Sequence, residues 1–177
     1  MRWTLAVLLT LGASPLAGQE PALPSGQGPT TALGLFGFTV MGGVDFQDGG
    51  QAIAAVALDA GHLFTDRLRI RPSAEIGFLG GDTLAPGGDN TYVANVELVY
   101  RITDDTQLAV PYLGTGLALR GRDECGADPE CPKIWLQFVL GFEVRLRPHI
   151  SWLLEYHPAD ALRRQRVFIG LTTRRGA

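Results

Sequence analysis

The residues of this chain able to do chemistry are mainly arginines and carboxylates set two positions apart. Arg67, Arg69, Arg71 and Glu75 share one parity, as do Glu97 with Arg101, Glu143 with Arg145 and Arg147, and Arg166 with Arg174. Glu155 shares its parity with Ser151 and His157. In an extended strand a spacing of two puts side chains on one face, so each set turns its charge to one side. Arginine and carboxylate pair strongly when enclosed, often through two parallel hydrogen bonds. The chemistry to expect is ion pairing in a confined space, serving a conduction path, a proton-linked gate or a structural polar core.

Other reactive groups are sparse. His149 and Ser151 have a spacing compatible with a nucleophile and its base, but such a pair also needs an orienting carboxylate. Cys125 and Cys131 are the only cysteines, and in an exported protein a disulfide closing a small loop is their default. No histidine stands near them, and Asp48, Asp82, Asp89, Asp123, Glu124, Asp128, Glu130 and Asp160 show no calcium-loop spacing, so no metal and no cofactor is expected. A net charge of −3 gives no case for nucleic acid. The basic set is fourteen Arg and one Lys, Lys133, which suits enclosed sites better than a solvated surface.

The elements that must position these residues are eight alternating stretches. They span about Leu35 to Phe46, Gln51 to Leu63, Arg67 to Leu79, Thr91 to Ile102, Gln107 to Leu119, Ile134 to Arg147, Ile150 to His157 and Gln165 to Arg174. In the fourth, Tyr92, Ala94, Val96, Leu98, Tyr100 and Ile102 alternate with Thr91, Asn95, Glu97 and Arg101. The fifth is apolar on both sides, and its faces are ambiguous. Ahead of them, residues 1–18 read as a secretory signal: Met1-Arg2, an apolar run from Leu5 to Leu11, and small residues before Gln19. Residues 19–32 are rich in Pro and Gly and read as a tether, and residues 33–175 as the folded domain. No later run of about 20 apolar residues exists, so a membrane crossing would have to be made by strands.

These strands, with alternately tight and longer connections, predict an all-β fold: an eight-stranded antiparallel up-and-down transmembrane β-barrel. Charge cannot face lipid, where Arg costs about 2–4 kcal/mol at the midplane, so the ionic faces turn inward. Eight strands leave room only for side chains, which favours the structural polar core over a channel. Counting from strand ends puts Arg67, Arg69, Arg71, Arg101, Arg145, Arg147 and Arg174 low. Glu75, Glu97, Glu143 and Glu155 come nearer mid-height, giving a carboxylate layer above an arginine layer. Trp152, Tyr156, Tyr92, Tyr100 and Tyr112 are expected as interfacial girdle residues. The rival is a soluble lipocalin-like periplasmic carrier, whose apolar faces would turn inward around a ligand.

Val110-Pro111-Tyr112-Leu113-Gly114-Thr115-Gly116-Leu117 resembles a recurrent strand of small OmpA/OmpX-type outer-membrane barrel domains. Gly141 to Tyr156 is similar to their hairpin of a glycine-led strand, a tight turn and a strand ending in Glu-Tyr, and Gly170 to Arg174 to their closing strand. The resemblance covers about Leu33 to Arg174. It implies the bacterial outer membrane, with lipid, lipopolysaccharide and the barrel-assembly machinery as partners, and a monomer. It implies a role in envelope integrity or surface interaction; passage of a narrow solute or hydrophobic ligand is the alternative. Such barrels usually end in an aromatic residue; this chain ends Arg174-Arg175-Gly176-Ala177, which places an assembly signal internally at Phe168. Some barrels of this size are lipid A deacylases with a His followed two residues later by a Ser. Here Pro158-Ala159 follows His157, and His149 with Ser151 lies at the opposite end, so an enzyme is not expected.

Overall fold

A computed structural model describes residues 30–46, 50–80, 90–104, 106–122 and 132–174. The expected signal, most of the tether, Cys125 and Cys131 lie outside them.

The eight strands are β1 (Ala32–Asp45), β2 (Gln51–His62), β3 (Leu68–Gly80), β4 (Thr91–Arg101), β5 (Ala109–Arg122), β6 (Lys133–Arg147), β7 (Ile150–Ala159) and β8 (Arg164–Arg174). Each pairs antiparallel with its sequence neighbour, and β1 pairs β8, so the sheet closes in simple order with no free edge. β1 begins three residues earlier than its alternation suggests, with Ala32 and Leu33 pairing across to His62 and Gly61. A register shift between Leu33 and Gly37 separates this start from the regular ladder. Gly61, at φ 111°, takes a conformation open to glycine, and its amide donates to Asp59 Oδ1 at 3.0 Å. The ends of β2, β4, β6 and β8 and the start of β1 lie at one end of the barrel, here the turn end. The ends of β1, β3, β5 and β7 lie at the other, the loop end.

The faces fall as period-two alternation requires. β4 alternates buried and exposed residues throughout: Glu97 is 1 % exposed and the adjacent Leu98 41 %. Val40, Val56, Ile76, Leu117, Phe138 and Ile169 carry the exposed apolar face around the sheet. An inward-facing apolar lining, which a lipocalin-like carrier needs, is therefore not what these strands build. The interior instead holds three small apolar groups around a polar centre: Met41, Ile53, Ala55, Ala57, Leu153 and Phe168; Val93, Ala118, Trp135 and Ala159; and Val99, Tyr112 and Val139.

β5 resolves its ambiguity by turning Val110, Tyr112 and Ala118 inward and Leu113, Leu117 and Leu119 outward. Tyr112, expected in an interfacial girdle, is 3 % exposed and belongs to the interior. Its partner across the ladder is Gly141. A Cβ on Gly141 would stand 2.6 Å from Tyr112 Cζ, so the absent side chain is the space the phenol ring fills. Gly141→Ala is expected to displace Tyr112 and destabilise the barrel by about 1–3 kcal/mol, the usual cost of overpacking. A lowered urea midpoint for the refolded variant checks this. Phe168 is likewise fully buried, its ring 4.9 Å from that of His157.

Candidate functional site

The interior is crossed by one continuous hydrogen-bonded chain of side chains. It starts at Asn95, whose Nδ2 donates to Glu75 Oε1 at 2.6 Å. Glu75 Oε2 accepts from Arg166 Nη1, and Arg166 Nη2 donates to Gln137 Oε1. Gln137 Nε2 donates to Glu97 Oε1, and Glu97 Oε2 accepts from Arg71 Nε at 2.7 Å. Arg71 then grips Glu155 through both terminal nitrogens, Nη1 to Oε1 and Nη2 to Oε2 at 3.1 Å. The Tyr112 hydroxyl donates to Glu155 Oε1, and His157 Nε2 lies 2.6 Å from Glu155 Oε2. Strands β3 to β8 all contribute, so the chain ties most of the circumference across the barrel axis.

Closure of the sheet makes this possible. Arg71 and Glu97 are ladder partners, as are His157 and Arg166. Glu155 meets Arg71 only because β7 has been brought across from β3 by the curvature of the barrel. With four groups bonded to it, Glu155 uses most of its acceptor capacity, as a buried carboxylate must. Bonds of this type are worth more in a low-dielectric interior than in water, and each unmade one costs more.

Further pairs flank the chain. Towards the loop end Arg164 Nη2 meets Asp45 Oδ2. Towards the turn end Arg69 Nη1 lies 2.9 Å from Asp59 Oδ2, and Arg101 Nη2 lies 3.4 Å from Glu143 Oε1. Thr39 and Thr172 join β1 to β8 by a hydroxyl hydrogen bond of 2.8 Å. A cavity of about 30 Å³, lined by Asp59, Arg69, Arg101, Tyr112 and Glu143 among others, sits in this half. It has room for water and for little else.

The expected carboxylate layer above an arginine layer is corrected by this arrangement. Arg164 and Arg166 lie above Glu97, and Asp59 and Glu143 lie low beside Arg69 and Arg101. Stacked guanidinium groups would leave like charges facing each other in a poorly screened interior, whereas interleaving gives each a counter-ion.

Of the residues expected in the network, Arg69, Arg71, Glu75, Glu97, Arg101, Glu143, Glu155 and Arg166 are brought together inside. Arg67 and Arg147 need correction. Arg67 sits at the rim, 39 % exposed in its side chain, where it meets Asp104 at 2.6 Å. That hydrogen bond holds the guanidinium pKa above its ordinary value. Arg147 is exposed at the β6–β7 turn, beyond a register shift that follows Arg145. Arg145 is half-buried, and of Arg174 the backbone alone is described, pairing with Gly37. The structure adds Asn95, Tyr112, Gln137, His157, Asp45 and Asp59. All but Tyr112 have the parity of the polar faces, a signal within reach of the sequence; Tyr112 lay hidden in a strand with two apolar faces.

No protein-family model matches the chain, and no curated protein matches it by sequence. Among solved structures the barrel is similar to Neisserial surface protein A (NspA), with 15 % identity and a TM-score of 0.58 over 78 % of this chain and 95 % of that one. The N-terminal β-barrel domain of Pseudomonas aeruginosa OprF has 10 % identity and a TM-score of 0.54 over 83 % and 98 %. A de novo designed transmembrane β-barrel has 14 % identity and a TM-score of 0.51 over 81 % and 98 %. The likeness is one of fold: the chain is a closed eight-stranded antiparallel barrel of the kind those proteins form.

Proposed function

We propose that the chain is a bacterial outer-membrane β-barrel that acts structurally or through surface interaction in the envelope, with an interior sealed by paired charges. The observation carrying this reading is the division of faces on every strand. Val96, Leu98, Leu136 and Leu140 stand exposed in an apolar belt, while Glu97 and Gln137 are shut inside. An apolar surface of that extent has no place in water but is what hydrocarbon solvates. Tyr92 and Tyr100, exposed at opposite ends of β4, suit the two interfacial zones. Outer-membrane lipid and lipopolysaccharide are the partners this surface fits, with delivery by the barrel-assembly machinery and a monomeric state.

The reading is non-enzymatic. Both ring nitrogens of His157 face carboxylates, Glu155 at 2.6 Å and Glu97 at 3.8 Å. His149 is exposed at a turn while Ser151 is buried in the interior. Cell fractionation with gel electrophoresis of unboiled and boiled samples tests the proposal. The expected outcome is recovery with the outer membrane, a heat-dependent mobility shift and no steady current across planar bilayers. Recovery in the soluble periplasm without a shift would overturn the membrane assignment, and steady currents would overturn the sealed interior.

A further inference from the structure

We infer that His157 is held as an imidazolium inside the closed barrel, where it forms a proton-dependent latch between β7 and β4. His157 lies near the loop end of β7 and is 1 % exposed. Its Nε2 stands 2.6 Å from Glu155 Oε2, and its Nδ1 stands 3.8 Å from Glu97 Oε1 on β4. Nδ1 is buried, and no group lies within hydrogen-bond distance of it among the described residues. A neutral imidazole has a proton on one ring nitrogen and a bare lone pair on the other. With the proton on Nε2, the Nδ1 lone pair would face Glu97; with it on Nδ1, the Nε2 lone pair would face Glu155. Each tautomer therefore sets a lone pair against a carboxylate in a place closed to water. The carboxylates offer the ring no proton, because every one of their oxygens already accepts from Gln137, Arg71 or Tyr112. A second proton on the ring removes the conflict, since each nitrogen then presents an N–H to the carboxylate it faces.

The charges around the ring call for the same proton. The central hydrogen-bonded chain holds three carboxylates, Glu75, Glu97 and Glu155, and two guanidiniums, Arg71 and Arg166. Arg71 of β3 is shared by Glu97 and Glu155. Arg166 of β8, the ladder partner of His157, opposes a further positive charge, but it is bonded to Glu75 of β3 and to the neutral Gln137 of β6. Arg164, next along β8, is matched by Asp45 of β1. Phe168 of β8 covers the ring with an apolar face. An imidazolium thus supplies the cation that the three central carboxylates lack, as a buried charge requires. A proton bound by the folded chain and released on unfolding makes stability fall as pH rises. Unfolded histidine loses its proton near about pH 6.5, so the latch contributes fully below that value and is lost as pH climbs. This chemistry stands whether or not the barrel is inserted as proposed above.

The test is nitrogen-15 NMR of the full refolded chain in detergent micelles at about pH 7.5, a unit above the ordinary imidazole value. His62→Gln and His149→Gln remove the other two imidazoles and leave the signal of His157 alone. Protons on both ring nitrogens are expected in the folded chain, with the neutral form returning when denaturant unfolds it. A neutral ring in the folded chain would overturn the inference, and this measurement keeps His157 in place, so it decides the matter if variants there fail to fold. Denaturant unfolding gives a second reading. His157→Gln should lower the folding constant about 10-fold or more, as loss of a charged hydrogen bond does. Glu97→Gln should then cost roughly 10-fold less in the His157→Gln background than in the wild type, because it removes the carboxylate left without its cation. The fall in midpoint as pH rises from about 6.5 should be steeper in the wild type than in His157→Gln. An equal cost of Glu97→Gln in both backgrounds, or the same pH slope with and without His157, would also overturn the latch.

Discussion

Glu155→Leu lowers the stability of the folded barrel by about 3–5 kcal/mol, the range for removing one partner of a buried ion pair. The loss comes less from the missing carboxylate than from what it abandons. Both terminal nitrogens of Arg71, the hydroxyl of Tyr112 and Nε2 of His157 lose their acceptor in a place water reaches poorly. Arg71 keeps only Glu97, held through Nε. Adding Arg71→Met to Glu155→Leu should recover part of the loss, because an apolar pair of similar bulk leaves no stranded charge. Denaturant unfolding in detergent or lipid gives all the midpoints needed for the double-mutant cycle. If Glu155→Leu unfolds at the wild-type midpoint, the central pairing does not hold the barrel.

Val96→Arg costs about 2–4 kcal/mol when the barrel is folded into a bilayer, because it places a guanidinium on the lipid side near mid-span. Val96 is 59 % exposed and lies midway along β4, with Pro72 and Leu117 beside it on the neighbouring strands. The same substitution on a water-soluble barrel would be close to neutral, since an exposed strand position tolerates arginine. Comparing folding free energies in lipid vesicles therefore separates the two environments with one residue. A change below about 0.5 kcal/mol, typical of an innocuous surface substitution, would end the claim that this face meets hydrocarbon.

The two substitutions probe opposite sides of one sheet, and they bear on the proposal that the interior is sealed rather than gated. A conduction path needs ionic side chains that can part. Here the central carboxylates and guanidiniums are each shared among several strands, so moving one group strands several others. Glu155 alone touches partners from β3, β5 and its own strand. The glycine opposite Tyr112 closes the arrangement further, since it lets the phenol ring lie against the wall and aim its hydroxyl at Glu155.

Strand number, order and facing were legible in the residues alone. Leu98 beside Glu97, and Phe138 beside Gln137, state which way a strand must turn, because alternation with period two is a local property of the extended chain. The inward placement of Glu75, Glu97 and Arg166 follows from the same rule. What each of them meets does not. Arg71 is the fourth residue of β3, and counting from the strand end placed it in a low arginine layer, yet it bonds a carboxylate from the far side of the barrel. Arg164 and Asp45 meet although they are far apart in sequence. Heights and cross-barrel partners depend on the stagger and tilt adopted when the sheet closes, which are properties of all eight strands together. Tyr112 shows the limit most plainly: with apolar residues on both faces of β5, only the empty space above Gly141 on the next strand decided which way the ring would point.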